Sequence, residues 1–187
     1  MFLYIHGFLS SSQSSKAQQF KQWLKEQGRE TEWICPDLPS NPKLALNLLS
    51  DIITDLQQKG QPIKLVGSSL GGFYATVLSE KFNLKAVVIN PSVNPDITLK
   101  NKIGTQKAWH TDTDVEFTQA DVDTLTKNKV KSISCTDNFF LMVEREDETL
   151  DYREATEFYR DCNQLIFNHG NHGFSRFGQV LSLIDEF

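Results

Sequence analysis

Cysteine is scarce in this chain: Cys35, Cys135 and Cys162 are the only three in 187 residues. They are odd in number, far apart and without a CxxC pair, which argues against a disulfide framework or a structural zinc site. Free thiols suit a reducing compartment, so the expected location is cytoplasmic. None of the three stands beside the turn signals of a nucleophile, and each is read as a buried or incidental thiol. Runs of Lys or Arg are missing too, and the formal net charge is -5. A phosphate backbone would find no basic footprint, so nucleic acid is not an expected partner. Nothing approaches the roughly 20 apolar residues needed to cross a bilayer. The N-terminus has no basic stretch followed by an apolar core and a cleavage site, and Phe2-Leu3-Tyr4-Ile5 is the size of a strand. Neither a membrane span nor a leader is expected. Low-complexity tracts and internal repeats are also lacking.

What remains is ordinary for a folded chain: 39% hydrophobic and 23% charged residues. That length and composition bury one sizeable core, so a single domain over 1–187 is expected. Short apolar, β-branched runs at 2–6, 32–36, 63–67, 85–90, 139–144 and 164–168 predict strands. Between them lie segments of helical spacing. The first, 16–27, puts Phe20, Trp23 and Leu24 on one face, and 44–59 does the same with Leu48, Leu49, Ile52, Ile53 and Leu56. Further helices are predicted over 72–81, 152–162 and 177–187. This alternation predicts an α/β fold, a mostly parallel sheet of about six strands with helices on both faces. The stretch 91–137 breaks the rhythm. It holds one helix, 119–129 behind a Thr118 cap, and otherwise polar loop including Trp109 and His110. It is read either as a partial cover over the carboxyl edge of the sheet, where open α/β sheets place ligands, or as a surface excursion with no part in binding.

The stretch Val66-Gly67-Ser68-Ser69-Leu70-Gly71-Gly72 sits between a predicted strand and a predicted helix. That is the setting of a nucleophile elbow, in which a strained central residue projects its hydroxyl above the sheet. The residues two before and two after it must be very small. Gly67 and Gly71 fill those places around Ser69, whereas Val66 and Leu70 would flank Ser68. Ser69 is therefore the candidate nucleophile. A phosphate-binding loop is the competing reading, but neither GxxxxGK[ST] nor GxGxxG is present, and no nucleotide or metal cofactor is indicated.

A serine needs a base within hydrogen-bond reach and a carboxylate to orient that base. In the order serine, acid, histidine, the chain supplies Glu144-Arg145-Glu146-Asp147-Glu148 after one strand and Asn168-His169-Gly170-Asn171-His172-Gly173 after the last. His172, set in a loop between glycines, is preferred to His169, which is read as ending the strand. Asp147 is preferred as the acid, with Asp151 capping the next helix; Glu146 and Glu148 are rivals. The N–H of Leu70, the residue after the nucleophile, is one expected oxyanion donor. Phe8, in the turn after His6-Gly7, supplies the other, and His6 braces that turn by hydrogen bonding. Phe8, Leu9, Phe73 and Trp109 are candidate lining for an acyl chain, or simply core residues.

With these residues placed, the chain resembles the YqiA-like family, small bacterial proteins assigned as esterases within the α/β-hydrolase superfamily. The carrying residues are "YIHGFLSS", "LVGSSLGGFYATVLSEKF", "AVVINPSV", "DETLDYREA" and "GNHGF". The resemblance implies a compact α/β-hydrolase without extra N-terminal strands. It also implies carboxylesterase or acyl-thioesterase activity, with Ser69, Asp147 and His172 as the triad. Two departures from the family pattern stand out, since glycines are replaced by Glu146 and His169.

The leading expectation is a cofactor-independent serine hydrolase acting on a small acyl ester or thioester through an acyl-enzyme. A binding or scaffold protein on the same fold is a second reading. A triad enzyme acting on another bond, as an acyltransferase, peptidase or carbon-carbon hydrolase, is a third. The oligomeric state is left open by the sequence.

Overall fold

The computed structural model describes residues 1–108 and 113–187. Strand β1 (Phe2–Ile5) buries all four of its residues, Leu3 and Ile5 in the core on one side and Phe2 and Tyr4 in the core on the other. Side chains alternate across a strand, so a strand apolar at every position must be covered on both faces. Helices provide the cover. Helix α1 (Ser15–Glu26) buries Ala17, Phe20 and Leu24, and leads to the two-residue β2 (Trp33–Ile34). Helix α2 (Pro42–Gln58) begins with the Asn41 side chain accepting the Leu44 N–H at 3.0 Å and proline in its first turn. Its apolar stripe runs through Ala45, Leu49, Ile53 and Leu56.

Strand β3 (Lys64–Ser68) turns directly into α3 (Leu70–Phe82), followed by β4 (Lys85–Ile89). A short helix α4 (Pro95–Thr98) precedes an antiparallel hairpin of β5 (Gly104–Lys107) and β6 (Asp114–Phe117). Helix α5 (Gln119–Asn128) is capped by Thr118 in a reciprocal capping box with Asp121. Then come β7 (Phe139–Glu144), α6 (Tyr152–Phe158), β8 (Asn163–Phe167) and α7 (Leu181–Glu186).

Six strands form one sheet in the order β2-β1-β3-β4-β7-β8, every pair parallel. Helices α2 and α3 pack in the core under Leu3, Ile5, Leu65 and Val88; α1 and α7 pack in the core under Phe2, Tyr4, Val66 and Val87. The order reverses between β1 and β3, because β2 adds on one side and β4 on the other. Such a reversal opens a crevice at the carboxyl ends of the strands.

All six predicted strands and the 119–129 helix are present. Four details differ. The strand expected at 32–36 is reduced to two residues, and the 152–162 helix ends at Phe158. The helix expected over 177–187 divides into a tight turn at Phe177–Gln179 and α7. Within 91–137, the stretch read as loop contains the β5–β6 hairpin; Trp109 and His110 fall outside the described residues. No described helix is long and apolar enough to cross a membrane.

Candidate active site

Ser69 is the hinge between β3 and α3, with φ 57° and ψ -122°. A serine held there costs on the order of 1–3 kcal/mol and persists only when its surroundings enforce it. Three backbone bonds do so: Ser69 N–H donates to Ile89 O at 3.1 Å, and Ser69 O accepts from Gly72 at 2.9 Å and Ser92 at 3.0 Å. The glycines allow the strand and helix to close up. A side chain on Gly67 would strike the Gly71 carbonyl, and one on Gly71 would strike the carbonyls of Ile5 and His6. Ser68, by contrast, is a buried last residue of β3.

The histidine loop follows β8. His172 Nε2 stands 3.0 Å from Ser69 Oγ and His172 Nδ1 2.8 Å from Asp147 Oδ2. The Asp147 side chain is 2% exposed, and its other oxygen accepts the N–H groups of Thr149 and Leu150, each at 2.8 Å. Of the rival acids, Glu148 accepts the His172 N–H at 3.0 Å, and that backbone donor holds its carboxyl below the usual range. Glu146 pairs with His169, Oε1 to Nδ1 at 2.7 Å, with both side chains well exposed. The two departures from the family pattern thus meet each other. His169 does not end the strand: β8 stops at Phe167, and His169 turns outward with φ 63°.

Three supports of this loop are not legible in the sequence. Glu144, the last residue of β7, is fully buried. Its carboxylate accepts the N–H of Asn171 (2.7 Å), Ser175 (2.9 Å) and Arg176 (3.2 Å), the Ser175 hydroxyl (2.8 Å) and Arg176 Nη1 (3.3 Å). Burial pushes its pKa up, but these donors outweigh that and leave it lowered. Asn90, at the end of β4, donates its amide to the carbonyls of Asn171 (3.0 Å) and His172 (3.2 Å) and accepts the Glu144 N–H (3.0 Å). Lys16 Nζ donates to the Gly173 carbonyl at 2.8 Å. Burial lowers the Lys16 pKa, against the opposing pull of Glu144 and Asp147.

On the other side of Ser69 lies the turn after β1. The Gly7 carbonyl accepts the Ser10 N–H at 3.2 Å. His6, 3% exposed, accepts the Leu38 N–H at Nε2 (3.0 Å) and places Nδ1 3.0 Å from Gly7 O, so it ties this turn to the loop after β2. Phe8 N–H bonds to no other described residue. Leu70 opens α3, where an N–H has no acceptor within its own helix. Gly7, Phe8, Leu9 and Leu70 border a cavity of about 210 Å³, which Val115 of the hairpin also lines. Phe117, at the end of β6, packs edge-on against Phe8 with ring centroids 5.0 Å apart. Phe73 is in the core and not on this cavity, and Trp109 lies outside the described residues. Among the described residues, no group of three His, Cys, Asp or Glu could hold a metal ion.

A model of the uncharacterised protein family UPF0227 matches residues 1–187. The chain belongs to that family. One relative, a UPF0227 protein of Vibrio cholerae, is 22% identical over 191 residues, covering 100% of this chain and 98% of the relative. Solved structures of α/β hydrolases share the fold of this chain. Est1E from Butyrivibrio proteoclasticus, bound to ferulic acid, superposes with a TM-score of 0.74 at 14% identity, over 100% of this chain and 86% of that one. Mouse α/β hydrolase domain-containing protein 10 does so with a TM-score of 0.68 at 13% identity, over 99% and 88%. At such identities the likeness is one of fold.

Proposed function

We propose that the chain is a serine hydrolase that cleaves carboxylic ester or acyl thioester bonds through an acyl-enzyme. The observation that carries this reading is the relay Ser69 Oγ, His172 Nε2, His172 Nδ1, Asp147 Oδ2, with links of 3.0 and 2.8 Å. Ser69 Oγ attacks the acyl carbonyl as His172 Nε2 takes its proton. Asp147 accepts the Nδ1–H and holds the imidazole in the tautomer that leaves Nε2 free to do so. The carbonyl oxygen, now negative, receives the N–H groups of Phe8 and Leu70. The tetrahedral intermediate collapses, the carbon-oxygen or carbon-sulfur bond breaks, and His172 returns the proton to the leaving alcohol or thiol. Water, deprotonated by the same imidazole, then releases the acid. A structural neighbour of the same fold, the esterase domain of a Rhodothermus marinus protein, lends support.

The test is steady-state kinetics on p-nitrophenyl and thioester substrates with short acyl chains. Wild type is expected to turn over, and Ser69→Ala to lose on the order of 10³-fold or more in kcat. Undiminished hydrolysis by Ser69→Ala would remove the assignment.

A further inference from the structure

The cavity beside the turn after β1 has a chemical character of its own. At about 210 Å³ it is smaller than the roughly 300–1,000 Å³ of pockets for drug-sized ligands. It begins next to the two N–H groups assigned to the oxyanion, and Phe8, Leu9, Leu70 and Val115 give it apolar walls. An acyl chain whose carbonyl sits between Phe8 and Leu70 therefore has this space open to it. The walls are not uniformly apolar. Tyr74 of α3 lines the cavity and is 2% exposed, and its hydroxyl, with no hydrogen bond to a described residue, is not among the buried atoms cut off from water. Burial, with the charge of Asp121 adding to it, raises the Tyr74 pKa, so the proton stays on the oxygen and is available to donate. A plain hydrocarbon chain filling the cavity would strand that hydroxyl away from water, at a cost; a chain carrying an oxygen acceptor would satisfy it. Asp37 lies on the same cavity and accepts the Ser12 N–H at 2.6 Å. An anionic chain end would have to shed its hydration among the apolar walls, at a cost.

We infer that this cavity is the acyl subsite of the hydrolase proposed above, and that it selects a short acyl chain bearing an uncharged oxygen, a hydroxyl or keto group, which accepts a hydrogen bond from Tyr74. The inference rests on the hydrolase reading for the word acyl, while the preference for an oxygen-bearing chain belongs to the cavity itself.

The experiment compares kcat/KM for the p-nitrophenyl esters of 3-hydroxybutanoate and 4-oxopentanoate with those of butanoate and pentanoate, and includes the hemisuccinate. In wild type the better of the two oxygen-bearing esters is expected to lead its plain counterpart by about tenfold, one good hydrogen bond. The hemisuccinate is expected to trail both. In Tyr74→Phe that ratio is expected to fall to about one, whatever the absolute rates. A ratio of one in wild type, or a ratio untouched by Tyr74→Phe, would overturn the inference while leaving the hydrolase reading in place. The converse failure is read separately, by titrating Ser69→Ala with methyl 4-oxopentanoate and methyl pentanoate. Tighter binding of the keto ester, lost when Tyr74→Phe is added, upholds the subsite even if no ester is turned over; equal binding in both proteins counts against it.

Discussion

Glu144 carries its carboxylate where no water reaches it, and five donors from a loop some thirty residues on converge there. A neutral replacement leaves those donors facing nothing. Glu144→Ala is expected to destabilise the fold by about 3–5 kcal/mol, the usual cost of breaking a buried charged network. It should also lower kcat by on the order of 10²-fold in the protein that remains folded, because His172 loses its fixed position. Urea unfolding and single-substrate kinetics check the two effects. Three residues along, Asp147 acts on the imidazole directly, and Asp147→Asn is expected to reduce kcat by on the order of 10³–10⁴-fold with little change in stability. Glu146→Gln and His169→Ala, which remove an exposed pair, should shift stability by less than about 1 kcal/mol. The choice among these acids shows what a sequence carries. The backbone elbow at Ser69 was legible because its glycine spacing is local. Which carboxylate faces inward depends on how the His172 loop returns over β7, and nothing within five residues of Glu144 encodes that.

At the scale of elements, the elbow depends on a backbone approach that admits no side chain. A methyl on Gly71 would press into the Ile5 and His6 carbonyls at the centre of the sheet, where neither can give. Gly71→Ala is therefore expected to cost at least about 3 kcal/mol, read as a lower urea midpoint. The alternation of strands and helices was legible in the main sheet because its four central strands, β1, β3, β4 and β7, bury apolar residues on both faces, whereas the edge strands β2 and β8 are only partly covered. The β5–β6 hairpin was not, for a physical reason. Its strands, Gly-Thr-Gln-Lys and Asp-Val-Glu-Phe, pair only with each other and leave half of their residues exposed. Little but Phe117 is buried, so no apolar period forms. That one ring packs on Phe8, and Phe117→Ala should both destabilise by about 3–5 kcal/mol and loosen the turn that holds the Phe8 N–H.

For the whole molecule, charge ties the ends of the chain together. Arg29 forms paired hydrogen bonds to Glu32, both at 2.8 Å, and to Asp185 of α7, at 2.7 and 2.9 Å. The guanidinium holds both carboxyls below their usual range, as the loop donors do for Glu144. A carboxyl whose folded pKa lies below its unfolded value of about 4 contributes fully above that value and loses its contribution as pH falls through the folded one. Urea midpoints should accordingly change little from these groups between pH 7 and about pH 5.5 and drop below about pH 4; Arg29→Met should lower the midpoint at neutral pH and make the acid decline shallower. The central claim, that Ser69 is the reacting residue and His172 its base, is tested most directly by peptide mapping after treatment with a fluorophosphonate. The account predicts one adduct, on the Ser69 hydroxyl, formed by wild type and slowed by at least about 10²-fold in His172→Ala. An adduct on Ser68, or a folded wild-type protein that takes up no label, would contradict it.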